Sequence, residues 1–181
     1  MRPAVPGDFS VIVELIEGAA AWLADMRTDQ WQRPWPDLES RDARVMAGLT
    51  EGITWLVEHQ GRAVATVTIT ARPYRELWVG HEPDAPALYL HRLVVHRDFA
   101  GQGLGAEILD WAANEAVRRG LDWVRIDVWR TNERLHKYYQ REGFEPVGTA
   151  PLPDYPSSAL FQRKAVVTLD TPRRLCGHYI R

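Results

Sequence analysis

The stretch His96–Leu109, HRDFAGQGLGAEIL, limits the fold more than any other part of the chain. Gly101, Gly103 and Gly105 occupy every second position. An apolar run, ALYLHRLVVH (Ala87–His96), leads into them, and a run with helical spacing follows. Glycine takes positive φ without a Cβ clash, so the stretch reads as strand, tight turn and helix. Such a turn gathers backbone N–H groups at the positive end of the helix. That is a phosphate-binding arrangement.

Several machines share nearly this spelling. Gly101, Gly103 and Ala106 satisfy G-x-G-x-x-G/A, and Asp122 and Asp127 lie roughly where a ribose-binding acid is expected. That reading would make the chain an NAD-dependent oxidoreductase. The placement opposes it. Only 75 residues follow Ala106, and they spell one short helix and about three strands, whereas a dinucleotide fold needs several further βα units. No Lys-Ser or Lys-Thr follows the glycines, so a P-loop fits worse. HRD at His96–Asp98 lacks the asparagine that a kinase catalytic loop places five residues after the aspartate. The plainest alternative is a turn that only connects a strand to a helix.

Composition narrows the class. The chain of 181 residues is one domain's worth, and its 45% hydrophobic and 25% charged residues suit a globular protein. A formal net charge of -2 argues against a nucleic-acid partner, which a basic excess would favour. The single cysteine, Cys176, permits no internal disulfide and fits a reducing cytoplasm. No run approaches the roughly 18 apolar residues of a membrane span, and MRPAVPGDFS has no signal core, so no membrane partner is expected.

Periodicity gives the remaining elements. Asp8 or Ser10 caps a helix reaching about Met26. Pro34 and Pro36 make Thr28–Ser40 a loop, and a second helix covers Arg41–Leu49. Ile53–Thr70 reads as a hairpin around Gln60-Gly61, and Arg72–Pro86 as a loop around Trp78. The helix after the glycines covers Ala106–Gly120, and LDWVRIDVWR (Leu121–Arg130) is a strand of strict alternation. A short helix begins at the cap Asn132 and ends at Gly143. Strands at Glu145–Gly148 and Leu160–Leu169 close a single domain, 1–169, and residues 170–181 form a tail.

This order of elements resembles the GCN5-related N-acetyltransferase (GNAT) family. The glycine loop falls on that family's Gln/Arg-x-x-Gly-x-Gly/Ala pattern, with Ala100 standing where Arg or Gln is usual and Gln102 as a substitute. Asn132, Tyr139 and Gly143-Phe144 fall on a second family motif, with Tyr138 one position early. The resemblance implies an α/β (α+β) GNAT fold: a mixed, mostly antiparallel twisted sheet flanked by helices. It implies an acetyl-CoA-dependent N-acetyltransferase without a metal. The pyrophosphate would lie on Ala100, Gly101, Gln102, Gly103, Leu104, Gly105 and Ala106. The pantetheine arm would lie along Leu93, Val94 and Val95, with Asn132 and Tyr139 also at the cofactor. Tyr139 would protonate the departing thiolate. No cysteine lies near the motifs, so transfer would be direct. A family-shaped module that binds acyl-CoA without acylating anything is the alternative.

The acceptor ammonium must lose a proton before it attacks, and two groups on the central strands suit that task, Asp127 and His91. Alternation puts either His91 or Arg92 in the cleft and groups Asp127 with Arg125 and Trp129 as a wet polar row. An ion pair of Asp127 with Arg125 or Arg92 is the structural alternative. The family's acceptor site would draw on Trp31, Trp35, Asp37, Glu39, Tyr74, Glu76 and Trp78. Aromatics mixed with acids suit a cationic small-molecule or peptide amine. The last strand and the tail are compatible with a homodimer.

Overall fold

The structure is a computed structural model that describes residues 1–74, 76–79 and 85–167. The tail, Cys176 and the end of the last expected strand lie outside the described residues, and with them the dimer contact expected there. In chain order the elements are β1 (Arg2–Pro3), α1 (Phe9–Asp25), α2 (Leu38–Thr50), β2 (Thr54–His59), β3 (Arg62–Thr70) and β4 (Ala87–Val95). They continue with α3 (Leu104–Arg118), β5 (Trp123–Val128), α4 (Glu133–Arg141), β6 (Glu145–Thr149) and β7 (Ala159–Lys164).

The strands form one sheet in the order β1-β2-β3-β4-β5-β7-β6. Every neighbouring pair is antiparallel except β4 and β5, which α3 connects. A doubly wound dinucleotide fold needs a mostly parallel sheet, so a sheet with one parallel pair removes the oxidoreductase reading. Two helices cover each face. On one face α3 places Ile108, Leu109, Ala112, Ala113 and Ala116 at 0% exposure over the central strands. Burying Ile108 and Leu109 stabilises the fold by roughly 1.5–3 kcal/mol each. On the other face Ile12, Leu15 and Ile16 of α1 meet Val45 and Leu49 of α2 over Leu56 and Val94.

Local chemistry explains the boundaries. Gln60 and Gly61 both take positive φ, at 51° and 77°, as a two-residue hairpin turn requires. Asp37 caps α2 by accepting from the Ser40 N–H at 2.7 Å, so that helix starts three residues earlier than its apolar pattern suggests. Asp8 does not cap α1 with its side chain. Its carboxylate accepts from the Val5 N–H at 2.8 Å and from both Arg2 guanidinium nitrogens, which ties β1 to the start of the helix.

One irregularity shapes the site. β4 pairs with β5 only from Ala87–Trp123 to Leu90–Ile126. Beyond that rung the strands part. On the other side of β4, Thr66 faces Val94 and Thr68 faces His91, so Val67 opposes both Arg92 and Leu93. This is a β-bulge, and Arg92 sits in it at φ 51°, in the left-handed region. A bulge bends and twists its strand, which turns the end of β4 away from β5. The last residues of β4 therefore form an edge inside the sheet.

Candidate active site

The gap between the parted strands opens into a cleft of about 1180 Å³. The glycine loop forms one wall. Ala100 is extended, Gly101 has φ 74°, and Gly103 has φ 83° and stands at the start of α3. A Cβ at Gly101 or Gly103 would meet nothing within 4 Å, so backbone conformation rather than crowding calls for glycine there. At Gly105 a Cβ would come within 2.6 Å of the Tyr138 hydroxyl. Among the described residues no backbone acceptor takes the N–H groups of Gly101, Gly103, Leu104, Gly105 or Ala106. These amides form a cradle that fits a pyrophosphate. The loop is braced from behind. Arg62 reaches Asp98 at 3.2 Å and His96 Nε2 at 2.6 Å, and Gln102 donates to the Asp98 carbonyl at 2.8 Å. Gln102 therefore steadies the loop.

At the fork, His91 Nδ1 lies 2.9 Å from Asp127 Oδ1, close enough for an ion pair but not aligned as a hydrogen bond. The other carboxylate oxygen accepts from the Tyr155 hydroxyl at 2.8 Å. Burial raises the Tyr155 phenol above its ordinary value, and the Asp127 charge and hydrogen bond add to that. Tyr139 is buried in the core below, with its ring edge against Phe144 at 5.6 Å. Its hydroxyl has no hydrogen-bond partner among the described residues, and the residue lines the cleft. Burial holds this phenol well above 10.0, and Tyr138 and Asp127 push it further. Tyr138 is pushed up to about 12, first by burial and then by Glu142. Both phenols keep their protons at neutral pH.

The α1–α2 loop crosses the cleft and is fastened on the far side. Asp29 accepts from Trp129 Nε1 at 3.1 Å and from the Thr131 hydroxyl at 2.5 Å. Gln30 Oε1 accepts from Asn132 Nδ2 at 2.6 Å, while Asn132 Oδ1 caps α4 by accepting from the Leu135 N–H at 3.0 Å. Trp31 and Trp35 line the cleft, and Trp35 meets Tyr155 edge-on at 4.9 Å. Among the described residues the lining carries eight arginines (33, 41, 44, 72, 92, 97, 134 and 141) against the acids Glu51, Asp127 and Glu142, a balance that favours anionic ligands.

The model of the acetyltransferase (GNAT) family matches residues 19–144. The chain belongs to this family. It is 34% identical over 150 residues to the uncharacterized N-acetyltransferase YesJ of Bacillus subtilis (strain 168), a match covering 81% of each protein. Among solved structures it is similar to a GNAT-family acetyltransferase from Listeria monocytogenes 4b F2365, with a TM-score of 0.73 and 25% identity over 90% of this chain and 92% of that one. It shares its fold with the PaiA N-acetyltransferase of Thermoplasma acidophilum in complex with coenzyme A, at a TM-score of 0.68 and 14% identity over 90% and 96% of the two chains. The protein is thus a GNAT-fold, acyl-CoA-dependent N-acetyltransferase.

In this GNAT chain the cleft brings together most of the expected residues: His91, Leu93, Val94, Val95, Ala100, Gly101, Gly103, Leu104, Gly105, Ala106, Asp127, Asn132 and Tyr139. Trp78 is not among them. It is 1% exposed, packed against Tyr89 at 5.6 Å with the Arg125 guanidinium 5.1 Å from its ring, and belongs to a separate core cluster. Arg125 is also 1% exposed and donates to the Tyr89 hydroxyl at 3.2 Å, so of the expected polar row only Asp127 and Trp129 line the cleft. Asp127 pairs with neither arginine proposed for it. Asp37 and Glu39 face away from the cleft, on the α2 cap and its outer surface. The bulge also removes the choice between His91 and Arg92, because both line the cleft. Sequence reading missed Arg44 and Tyr155. Tyr155 sits among prolines whose approach to Asp127 no local pattern spells.

Proposed function

We propose that this enzyme transfers an acetyl group from acetyl-CoA directly to a primary amine, with Tyr139 as general acid. One observation carries the reading: the amide cradle, the buried Tyr139 hydroxyl and the His91–Asp127 pair all face one cleft at the point where β4 and β5 part. When bound, acetyl-CoA supplies an activated acyl carbon whose bond to sulfur breaks as the bond to the amine nitrogen forms. The amides of Gly101 to Ala106 hold the pyrophosphate, and the lack of an Arg or Gln side chain at position 100 is offset because the cradle is built from backbone. The unpaired edge of β4 at Leu93–Val95 offers main-chain groups to the pantetheine arm. Asp127, with His91 beside it, takes the proton that the ammonium must lose. Tyr139 gives its proton to the departing sulfur and recovers one through the proton lost from nitrogen. A positioned acid or base of this kind accelerates a reaction by about 10²–10⁴-fold. The resemblance in fold to a protein solved with coenzyme A supports the choice of cofactor.

Release of free thiol from acetyl-CoA, followed across a panel of amines, tests the proposal. Turnover with at least one amine is expected, with kcat lowered about 10²-fold in Tyr139→Phe and acetyl-CoA binding nearly unchanged. Tight acetyl-CoA binding without thiol release for any amine would instead make the protein a binding module.

A further inference from the structure

The acceptor half of the cleft holds two neighbouring arginines, Arg44 and Arg92. Of the arginines there, Arg41 is paired with Glu17 and Asp42, and Arg72 approaches Glu51 at 4.0 Å. Arg44 and Arg92 pair with no carboxylate among the described residues. Arg92 lines the cleft half-buried, and the surrounding protein partly desolvates its guanidinium. Its Nη2 donates to the Arg44 carbonyl at 3.3 Å, and among the described residues the rest of its donor fork is unused. Arg44 donates to the Trp35 carbonyl, and its guanidinium lies 6.0 Å from that indole. Tyr155 stands among Arg44, Arg92 and Asp127. Desolvation, and then the charge of Arg44, makes the Arg92 cation harder to hold than a free guanidinium, and Tyr155 and Asp127 oppose this only in part.

A partly desolvated guanidinium beside a second one is an unfavourable arrangement until an anion lies between them. A guanidinium fork matches a carboxylate in shape and binds it in a bidentate way. An acceptor carrying only positive charge, such as a polyamine, would meet repulsion from both arginines. Asp127 supplies the opposite charge near the fork. We infer that the acceptor is a zwitterion, an amine that also bears a carboxylate such as a free amino acid, held through its carboxylate by Arg92 and Arg44 while its ammonium faces Asp127. This deepens the acetyltransferase reading and rests on it for the fate of the amine.

The test compares each common L-amino acid with its carboxamide and with its decarboxylated amine, at saturating acetyl-CoA. The free acid of the preferred set should exceed both partners tenfold or more in kcat/KM. Arg44→Met should abolish that preference and leave KM for acetyl-CoA unchanged. Arg92→Met should do the same, and Arg44→Met, on an exposed helical turn, carries the test if the bulge variant does not fold. Calorimetry with N-acetyl-amino acids and their amides, in the presence of CoA, reads the site without turnover. Binding of the acids alone, lost in Arg44→Met, upholds the carboxylate site even if no amine is acetylated, in which case only the transfer reading falls. Equal turnover of amines with and without a carboxylate overturns the inference and leaves the transferase reading intact. Absence of both preference and acid binding also overturns it.

Discussion

His91 Nδ1 and Asp127 Oδ1 stand 2.9 Å apart across the point where β4 and β5 separate. Each is the first residue beyond the last rung, Leu90–Ile126. Two strands that run parallel below thus deliver a carboxylate and an imidazole to one spot above. Asp127→Asn keeps the shape and removes the charge. It should lower kcat/KM by about 10²-fold or more while the fold stays intact. Steady-state kinetics beside a thermal melt check this, and wild-type activity in the variant would remove Asp127 from the chemistry.

The glycine loop predicts a loss of cofactor affinity without a clash. Gly103 stands at φ 83° with open space where a Cβ would go. Gly103→Ala must either hold a left-handed conformation, at about 1–2 kcal/mol, or shift the amides that follow it. The dissociation constant for CoA should rise about tenfold, since 1.4 kcal/mol is a factor of ten. Calorimetric titration gives the number, and unchanged affinity would place the pyrophosphate elsewhere.

A packing prediction is independent of function. A Cβ at Gly48 of α2 would fall 2.6 Å from Thr54 Oγ1, which bonds the Thr68 hydroxyl at 3.0 Å in the buried sheet. Gly48→Ala must push the helix off β2 or break that bond. It should destabilise the protein by about 1–3 kcal/mol in denaturant unfolding. An unchanged midpoint would mean that α2 sits further from the sheet.

Alkaline pH should weaken the fold. Burial holds the phenols of Tyr138, Tyr139 and Tyr155 above their ordinary value of 10.0. The unfolded chain then loses these protons first. The stabilisation is complete below pH 10 and is lost as pH rises through the folded values. Melting temperature should fall above about pH 10, and the fall should be shallower in Tyr139→Phe. Equal slopes would mean that Tyr139 is solvated.

Local chemistry was legible in the sequence, and long-range register was not. Gln60-Gly61, Asn132 and the glycine loop act on their own neighbours, and each stands where its residue type predicts. Asp37 is also local, but the prolines beside it hide the start of α2. Arg125 and Trp78 are different. Their place depends on Tyr89 facing Arg125 across β4 and β5, a pairing that no single strand reveals. The bulge at Arg92 breaks the alternation on which strand reading depends, so His91 and Arg92 reach the same cleft. Tyr155 arrives from a proline-rich loop because Asp127 and Trp35 receive it.

The most direct measurement is a crystal structure with acetyl-CoA. The account predicts the pyrophosphate on the amides of Gly101 to Ala106 and the sulfur within hydrogen-bonding reach of the Tyr139 hydroxyl, at about 3–4 Å. A sulfur seated at Tyr138, or phosphates bound away from the glycine loop, would contradict it.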